Sequence, residues 1–329
     1  MPIARVRGPG HPDQVCDLVA VAIVEEYARR DPASRLHLRV MGGHGAMFVT
    51  GEVSSTADFD VSSVVRRVVG ASGVQAEIEP FIALEPMAPA WAAEYGAREG
   101  AHVVAYATNE TVERFPKQCV LARKVAQLIE KKRLEDEDWF WLDADYEILV
   151  ERVNEKYVTV LRVGHADAKP IAEVRNLIQH LLSSAGVPGP IRINPAGEET
   201  RIGLQNRVGS SGRLGSVDGS SSLLPSSPSG VGLHVTHPLN AGSWLARAIA
   251  KECVGRNLGE AVQVSVSWLP LESRAHQIRI RNERGDDLAQ AIDQVRFDLR
   301  QLPESYKRGE YLTQALQAHY QPVELPWEK

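Results

Sequence analysis

The order helix, β-hairpin, helix recurs three times along this chain of 329 residues. Apolar residues at three- and four-residue steps predict the helices, and alternating apolar runs predict the strands. The predicted elements are helix 15–29, strands 35–40 and 46–53 and helix 61–69; helix 117–132, strands 146–153 and 157–163 and helix 172–184; and helix 241–254, strands 262–269 and 276–281 and helix 288–299. Units spaced by about 100 residues favour an α+β fold of three related domains, each an antiparallel sheet with helices on one face.

Short local signals support individual elements of this repeat. Asp60 precedes the helix predicted at 61–69 and is a plausible N-cap. Asn154 and Glu155 stand between two alternating runs, as the central residues of a tight hairpin do. The sequence therefore predicts where these chain reversals and helix starts lie.

A chain of this length predicts more than one domain. We predict an N-terminal α+β domain at 1–97, a central one at 98–202 and a C-terminal one at 203–329. The last includes 209–232, rich in Gly, Ser and Pro, which is either a flexible linker or backbone that cradles a phosphate. A second irregular stretch, 80–100, is predicted to be either a lid over a site or a surface loop.

Composition excludes several classes of function. A formal net charge of −5 argues against a broad nucleic-acid-binding surface. Cys16, Cys119 and Cys253 form no CxxC pair, so neither a disulfide framework nor a zinc site is indicated. No apolar run has the length of a membrane span and no signal-peptide pattern is present, so we expect no membrane partner and a cytoplasmic protein. Strands with little polar alternation, such as 158–161, predict a sheet face covered by a partner such as a second subunit.

The loop Gly8-Pro9-Gly10-His11-Pro12-Asp13-Gln14 carries the clearest chemical signal. It places an imidazole and a carboxylate at the start of the first predicted helix, where unpaired backbone N–H groups favour anions. An imidazole there can bind a phosphate oxygen, and a carboxylate can bind the accompanying metal. The alternative is that Asp13 is only an N-cap and the glycines only form a turn.

Segments with specific residues follow one another along nearly the whole chain. They are Gly10-His11-Pro12-Asp13, Asp31-Pro32, Gly51-Glu52-Val53, Tyr106-Ala107-Thr108-Asn109-Glu110-Thr111, Ile193-Asn194-Pro195-Ala196-Gly197, Gly212-Arg213 and Pro326-Trp327-Glu328-Lys329. In this order they resemble the methionine adenosyltransferase (S-adenosylmethionine synthetase) family of bacteria. The resemblance implies three α+β domains in pseudo-threefold arrangement, and dimers that pack sheet on sheet with two active sites between the subunits.

The resemblance also implies a reaction, in which the methionine sulfur attacks C5′ of ATP and the triphosphate leaves and is hydrolysed. Mg²⁺, a monovalent cation and several lysines and arginines stabilise the leaving group in that family. Position by position, His11 matches the histidine near the triphosphate and Asp13 a magnesium-binding aspartate. Glu52 matches the glutamate that holds the methionine amino group, and Arg213 an arginine that contacts phosphate. The remaining predicted substrate-binding residues are Asp143 near the ribose, and Arg98 and Glu99 in a loop of the family.

Several positions depart from the family pattern, mostly on the triphosphate side. Family lysines are replaced by Gln14, Asp145 and Leu214; a magnesium-binding aspartate by Arg207; the glutamate that holds the monovalent cation by Arg39; and a lysine-bearing Gly-rich segment by 221–238, which has no Lys or Arg. We therefore expect Mg²⁺ but doubt the monovalent cation, which the Arg39 guanidinium would replace. Each lost charge-assisted phosphate contact costs roughly 1.5–3 kcal/mol.

These departures leave three hypotheses open. The chain is a divergent enzyme that binds an amino acid and an adenosyl compound, either ATP or a donor without triphosphate such as S-adenosylmethionine. Alternatively, it is a non-catalytic member that pairs with itself or with an active relative as a homodimer or heterodimer. The third hypothesis is an ordinary methionine adenosyltransferase with rearranged phosphate contacts.

Overall fold

The computed structural model describes residues 3–73, 77–92, 94–213 and 229–329. Its strands are β1 (Ile3–Arg7), β2 (Arg35–Gly43), β3 (Ala46–Ser54), β4 (Glu79–Pro86), β5 (Ala101–Thr108), β6 (Leu142–Val153), β7 (Lys156–His165), β8 (Ile191–Ile193), β9 (Gly209–Ser210), β10 (Ala261–Trp268) and β11 (Gln277–Asn282). Its α-helices are α1 (Pro12–Arg30), α2 (Val61–Ala71), α3 (Lys117–Glu135), α4 (Ile171–Ser184), α5 (Gly203–Asn206), α6 (Ser243–Gly255) and α7 (Tyr311–Gln317). The α+β class is confirmed.

The strands form three sheets. The first has the order β4-β3-β2-β9, the second β1-β6-β7-β8 and the third β11-β10-β5. The sheets are antiparallel except where β4 joins β3 and where β8 joins β7. Each sheet takes one strand from outside the predicted domain bounds, namely β9, β1 and β5. The three predicted domains therefore share strands and are not consecutive, separate pieces of chain.

Most predicted helices and hairpins are confirmed within a few residues. The Asp60 side chain accepts a hydrogen bond from the Ser62 N–H and caps α2. Asn154 and Glu155 both have positive φ, as the tight turn between β6 and β7 requires.

Two predictions from the sequence are wrong. The helix expected at 288–299 is three separate 3₁₀ turns. The side chains of Asp293 and Asp298 accept hydrogen bonds from backbone N–H groups, so each of these residues caps the start of a new turn. The stretch 80–100 is not irregular throughout, since β4 pairs with β3 as an edge strand, a place that tolerates proline.

Two apolar cores hold the layers together. One lies among α1, α2, α6 and the first and third sheets, and the other lies between α3, α4 and the second sheet. The three cysteines are buried thiols. No helix among the described residues is long and apolar enough to span a membrane. The cores place the first turn of α1 between the first and second sheets, since α1 packs on β2 and β9 and the loop before it lies on β6.

The outer face of the first sheet carries large apolar side chains. Met41, Phe48 and Phe81 are each about half exposed, at 52%, 48% and 49%. The Phe48 and Phe81 rings stack with centroids 4.9 Å apart. Neighbours one residue away along the strands, such as Val40 and Met47, point into the core. An apolar patch of this kind on a sheet face is typical of an interaction surface.

Candidate functional site

The loop before α1 is held against β6 by backbone hydrogen bonds. Gly8 N–H donates to the Tyr146 carbonyl over 2.9 Å, and Gly10 N–H donates to the Ala144 carbonyl over 3.0 Å. A Cβ atom on Gly10 would lie 2.8 Å from the Ala144 backbone, so only glycine fits there. This close approach fixes His11 as the N-cap residue of α1.

His11 is a buried, neutral imidazole. Its Nδ1 accepts a hydrogen bond from the Asp13 N–H over 3.2 Å, so the ring proton is on Nε2. Burial, reinforced by Arg7 and then by Arg162, Arg207 and Arg5, lowers the pKa of His11 to about 2. The imidazole can therefore donate one hydrogen bond to a ligand without adding a positive charge.

Asp13 is buried among cationic groups. Its Oδ2 forms an ion pair with Arg7 Nη1 at 3.0 Å, and Arg7 itself is only 7% exposed. Its Oδ1 accepts from the Ser210 N–H at 3.0 Å and lies 3.4 Å from Arg213 Nη1. The structure thus brings together three of the predicted site residues, His11, Asp13 and Arg213.

A second carboxylate, Asp145, binds two further arginine side chains. Arg162 Nη2 donates to its Oδ1 over 2.6 Å, while Arg207 Nη1 lies 3.1 Å and the Gly203 N–H 2.9 Å from its Oδ2. Asp145 and Arg207 are both departures from the family pattern. The structure shows that they form one ion pair, so the two replacements compensate each other in charge.

These residues form two groups of ion pairs, one around Asp13 and one around Asp145, whose arginines both act electrostatically on His11; together we call them the arginine cluster. It contains five guanidinium groups and four carboxylates, a surplus of one positive charge: Arg5, Arg7, Arg162, Arg207 and Arg213 with Asp13, Asp145, Glu147 and Glu199. Arg7 Nε and Arg162 Nη1 are buried and make no hydrogen bond within the described part of the chain. They lie 3.6 Å from Glu147 and 3.7 Å from Glu199, too far for one.

Asp17 lies one helical turn after Asp13 and is fully buried. Its Oδ1 accepts from the Gly212 N–H over 2.7 Å, while its Oδ2 has no hydrogen-bond donor among the residues described. Burial raises the pKa of Asp17 to about 7; neighbouring Asp13 acts in the same direction, against Arg7 and Arg39. This carboxyl therefore changes its charge near neutral pH.

A second group of predicted residues lies on the outer face of the first sheet. Glu52 pairs across the strands with His37, and its carboxylate makes no hydrogen bond or ion pair within the ranges described. Burial lowers the pKa of His37, as Arg39 does, while Glu99 and Glu52 act in the opposite direction. Arg98, exposed, lies over the Trp91 ring at 3.5 Å.

The two groups are not in direct contact. Arg39 donates to the Leu38 and Val231 carbonyls and interacts electrostatically with Asp17 and Glu99, which places it between them. Asp143 lies next to the arginine cluster, since its Oδ1 accepts from the Asp145 N–H. Burial raises the pKa of Asp143, while Arg133 acts in the opposite direction. No hydrogen bond or ion pair in the described ranges joins Asp143 to His11.

The sequence interpretation missed Arg7, Arg162 and Asp17. Arg5 and Arg7 alternate along the strand that runs into the His11 loop, and Asp17 follows Asp13 by four residues on one helix face. These two patterns were available in the sequence. The Gly/Ser/Pro-rich stretch 209–232 is described only at 209–213 and 229–232, so the choice between linker and phosphate cradle for the rest lies outside the described residues.

Fold and site define a three-sheet α+β protein with a cluster of charged side chains at the start of a buried helix. Residues 5–85 match the family described as S-adenosylmethionine synthetase, N-terminal domain. Similar proteins include the S-adenosylmethionine synthases of Aquifex aeolicus (27% identity, 97% of this chain and 94% of the relative) and Prochlorococcus marinus (25%, 97% and 91%). An unusual S-adenosylmethionine synthetase from Campylobacter jejuni has a similar fold, with TM-score 0.82, 18% identity and coverage of 99% and 96%. Over nearly its whole length the chain is therefore similar to S-adenosylmethionine synthases, and its first 85 residues contain the match to that family's N-terminal domain.

Proposed function

We propose that this protein is a transferase of the methionine adenosyltransferase type that binds an adenosyl compound and an amino acid such as methionine. The observation that carries this proposal is the meeting of His11, Asp13 and Arg213 at the first turn of α1, from positions 200 residues apart. A site with no remaining ligand would have little reason to retain this set of polar side chains in a buried place.

Each group of residues has a separate task in this proposal. The neutral His11 can donate from Nε2 and Arg213 presents an exposed guanidinium, so both would contact the anionic part of the adenosyl compound. The Glu52 carboxylate makes no hydrogen bond or ion pair in the described chain and interacts only electrostatically with His37, which leaves its oxygens available to the amino group of an amino acid. The sulfur of that amino acid would attack C5′ of the donor while the bond from C5′ to the anionic leaving group breaks, so that this group leaves with the electron pair. Positioning of the two ligands would carry the rate.

The two groups lie on different surfaces, so we propose that a complete site needs two subunits. The apolar patch of Met41, Phe48 and Phe81 on the first sheet supplies a surface for such a dimer, either with itself or with a family member. We expect Phe48→Asp to convert a dimer into a monomer, measured by light scattering after size-exclusion chromatography. Phe140→Asp is the matched control, since Phe140 is 86% exposed on another part of the protein.

The net charge of the arginine cluster indicates which kind of adenosyl donor the site can bind. A triphosphate carries about four negative charges, and a surplus of one positive charge compensates only a small part of them. This balance favours a donor without triphosphate over ATP. It also favours the second candidate function, a non-catalytic dimer partner, since paired charges can serve stability alone.

Calorimetric titration of the purified protein with S-adenosylmethionine, ATP and methionine separately tests the proposal. We expect binding of at least one adenosyl compound, and roughly tenfold weaker binding of methionine by Glu52→Gln, the order of one charge-assisted hydrogen bond. Glu79→Gln on the same sheet is the control. Absence of binding for all three ligands refutes the enzyme and leaves the dimer partner. Chromatography of an incubation with ATP and methionine separates turnover from binding alone.

A further inference from the structure

We propose that the arginine cluster binds a single phosphate group, free or carried by a nucleoside, through its own guanidinium groups and without Mg²⁺. This inference deepens the proposed function, because it names the anionic group that this half of the site recognises. It departs from the expectation that Asp13 holds a magnesium ion.

Asp13 does not fit a magnesium ion in this arrangement. Arg7 Nη1 is paired with its Oδ2, while the Ser210 N–H and Arg213 Nη1 take its Oδ1. A divalent cation on this carboxylate would have to displace a guanidinium group or sit beside two of them. No group of three or more His, Cys, Asp or Glu side chains suited to a metal occurs in the described ranges.

The donors needed for an anion are present in the same place. Arg7 Nε and Arg162 Nη1 are buried N–H groups without a hydrogen bond in the described structure, although burial of such groups is costly. His11 carries its ring proton on Nε2 and interacts electrostatically with Arg7 and Arg162, so this donor lies near both arginines. Arginine presents its N–H groups in a planar fork that matches two phosphate oxygens.

The charge of the cluster sets the size of the anion. Five guanidinium groups face four carboxylates, and ionisation of the neighbouring Asp17 lowers the surplus below one positive charge, so the cluster compensates at most one negative charge of a phosphate. A triphosphate would leave most of its charge uncompensated. The compensating pair of Asp145 and Arg207 contributes to this result, because it replaces a cation and a metal ligand with an internal ion pair.

Calorimetric titration of the full chain with inorganic phosphate, adenosine monophosphate and tripolyphosphate, each in EDTA and in excess Mg²⁺, tests the proposal. We expect inorganic phosphate or adenosine monophosphate to bind equally in both buffers and tighter than tripolyphosphate. Comparison of the first two probes distinguishes free phosphate from a nucleoside phosphate. Binding that requires Mg²⁺, or no binding of either single-phosphate probe, overturns the proposal.

The substitution Asp13→Asn changes the affinity for phosphate in opposite directions, depending on whether Asp13 binds a metal or only neutralises arginines. If Asp13 holds a metal, the variant weakens binding; if it only neutralises arginines, Arg7 and Arg213 are released to the ligand. We then expect phosphate to bind up to roughly fivefold tighter, the order of one partly screened charge interaction. Weaker binding by the variant, with Mg²⁺ present, overturns the proposal.

Two further variants protect the test against loss of folding. Arg213, 61% exposed, can be changed to Gln without leaving a buried charge unpaired, because Asp13 keeps Arg7. We expect Arg213→Gln to weaken phosphate binding in EDTA, and Arg66→Gln, on a distant exposed helix face, to leave it unchanged. If phosphate binds while S-adenosylmethionine, ATP and methionine do not, the phosphate site stands and the proposed transferase function fails.

Discussion

Replacement of Asp17 by Asn is predicted to stabilise the protein at alkaline pH and to have no effect on stability at acidic pH. The Asp17 carboxyl is fully buried, and one of its oxygens has no hydrogen-bond donor in the described structure. The isosteric amide keeps the oxygen that accepts from the Gly212 N–H. The substitution therefore removes the ionisation and little else.

The magnitude follows from the pKa of this carboxyl. Burial raises it from 3.8 to about 7 in the folded protein. That difference corresponds to about 4 kcal/mol, at 1.36 kcal/mol for each pKa unit. Because the folded state holds the proton more tightly, the free energy of unfolding falls as pH rises from about 4 to about 7, and levels off above that range. The free energy of unfolding of Asp17→Asn does not fall in this way, because the amide does not ionise.

Urea unfolding of the wild type and Asp17→Asn at several values between pH 4 and pH 8 tests the reasoning. The difference in free energy of unfolding is expected to grow from near zero to about 4 kcal/mol across this range. Asp60→Asn is the control, because Asn also caps helices well and the site is exposed. A difference between wild type and Asp17→Asn that does not change with pH would show that Asp17 stays ionised when buried.

Other variants test the contacts that hold the site and the cores. Arg247→Met, which removes a buried guanidinium paired with Glu328 and bonded to three backbone carbonyls, should lower the free energy of unfolding by roughly 3–5 kcal/mol in urea titrations. Asn194→Ala, which deletes both side-chain hydrogen bonds to the Val163 backbone, should cost roughly 2–4 kcal/mol by the same measurement. Gly209→Ala places a Cβ atom 2.1 Å from a backbone oxygen at the start of α1, and should weaken phosphate binding in calorimetry.

The sequence predicted the elements with strong local signals. Asp60 and Asn154 act through their own side chain or backbone, within a few residues, so their pattern suffices. β1 and β9 escaped prediction because each is short and its partner strand lies far along the chain. The helix expected at 288–299 failed because Asp293 and Asp298 compete with helical hydrogen bonds, an effect that apolar spacing does not reveal.

The candidate site likewise contains residues that the sequence could predict and contacts that it could not. Resemblance to a family named His11, Asp13 and Arg213 as site residues, and in the structure Asp13 lies beside the other two; their roles stay predictions. It could not predict that Asp145 and Arg207 pair, because a departure at one position gives no information about its neighbour in space. Electrostatic compensation is a property of the folded arrangement. It can be recognised only once the positions of both side chains in the structure are known.

The exchange of strands among the sheets has a consequence for synthesis on the ribosome. β2 and β3 emerge early, but the β9 edge of their sheet comes some 150 residues later, and β5 has no partner until β10 emerges. Each sheet is therefore complete only after strands from distant parts of the chain have emerged. Until then the growing chain carries open strand edges, a feature that favours aggregation during folding.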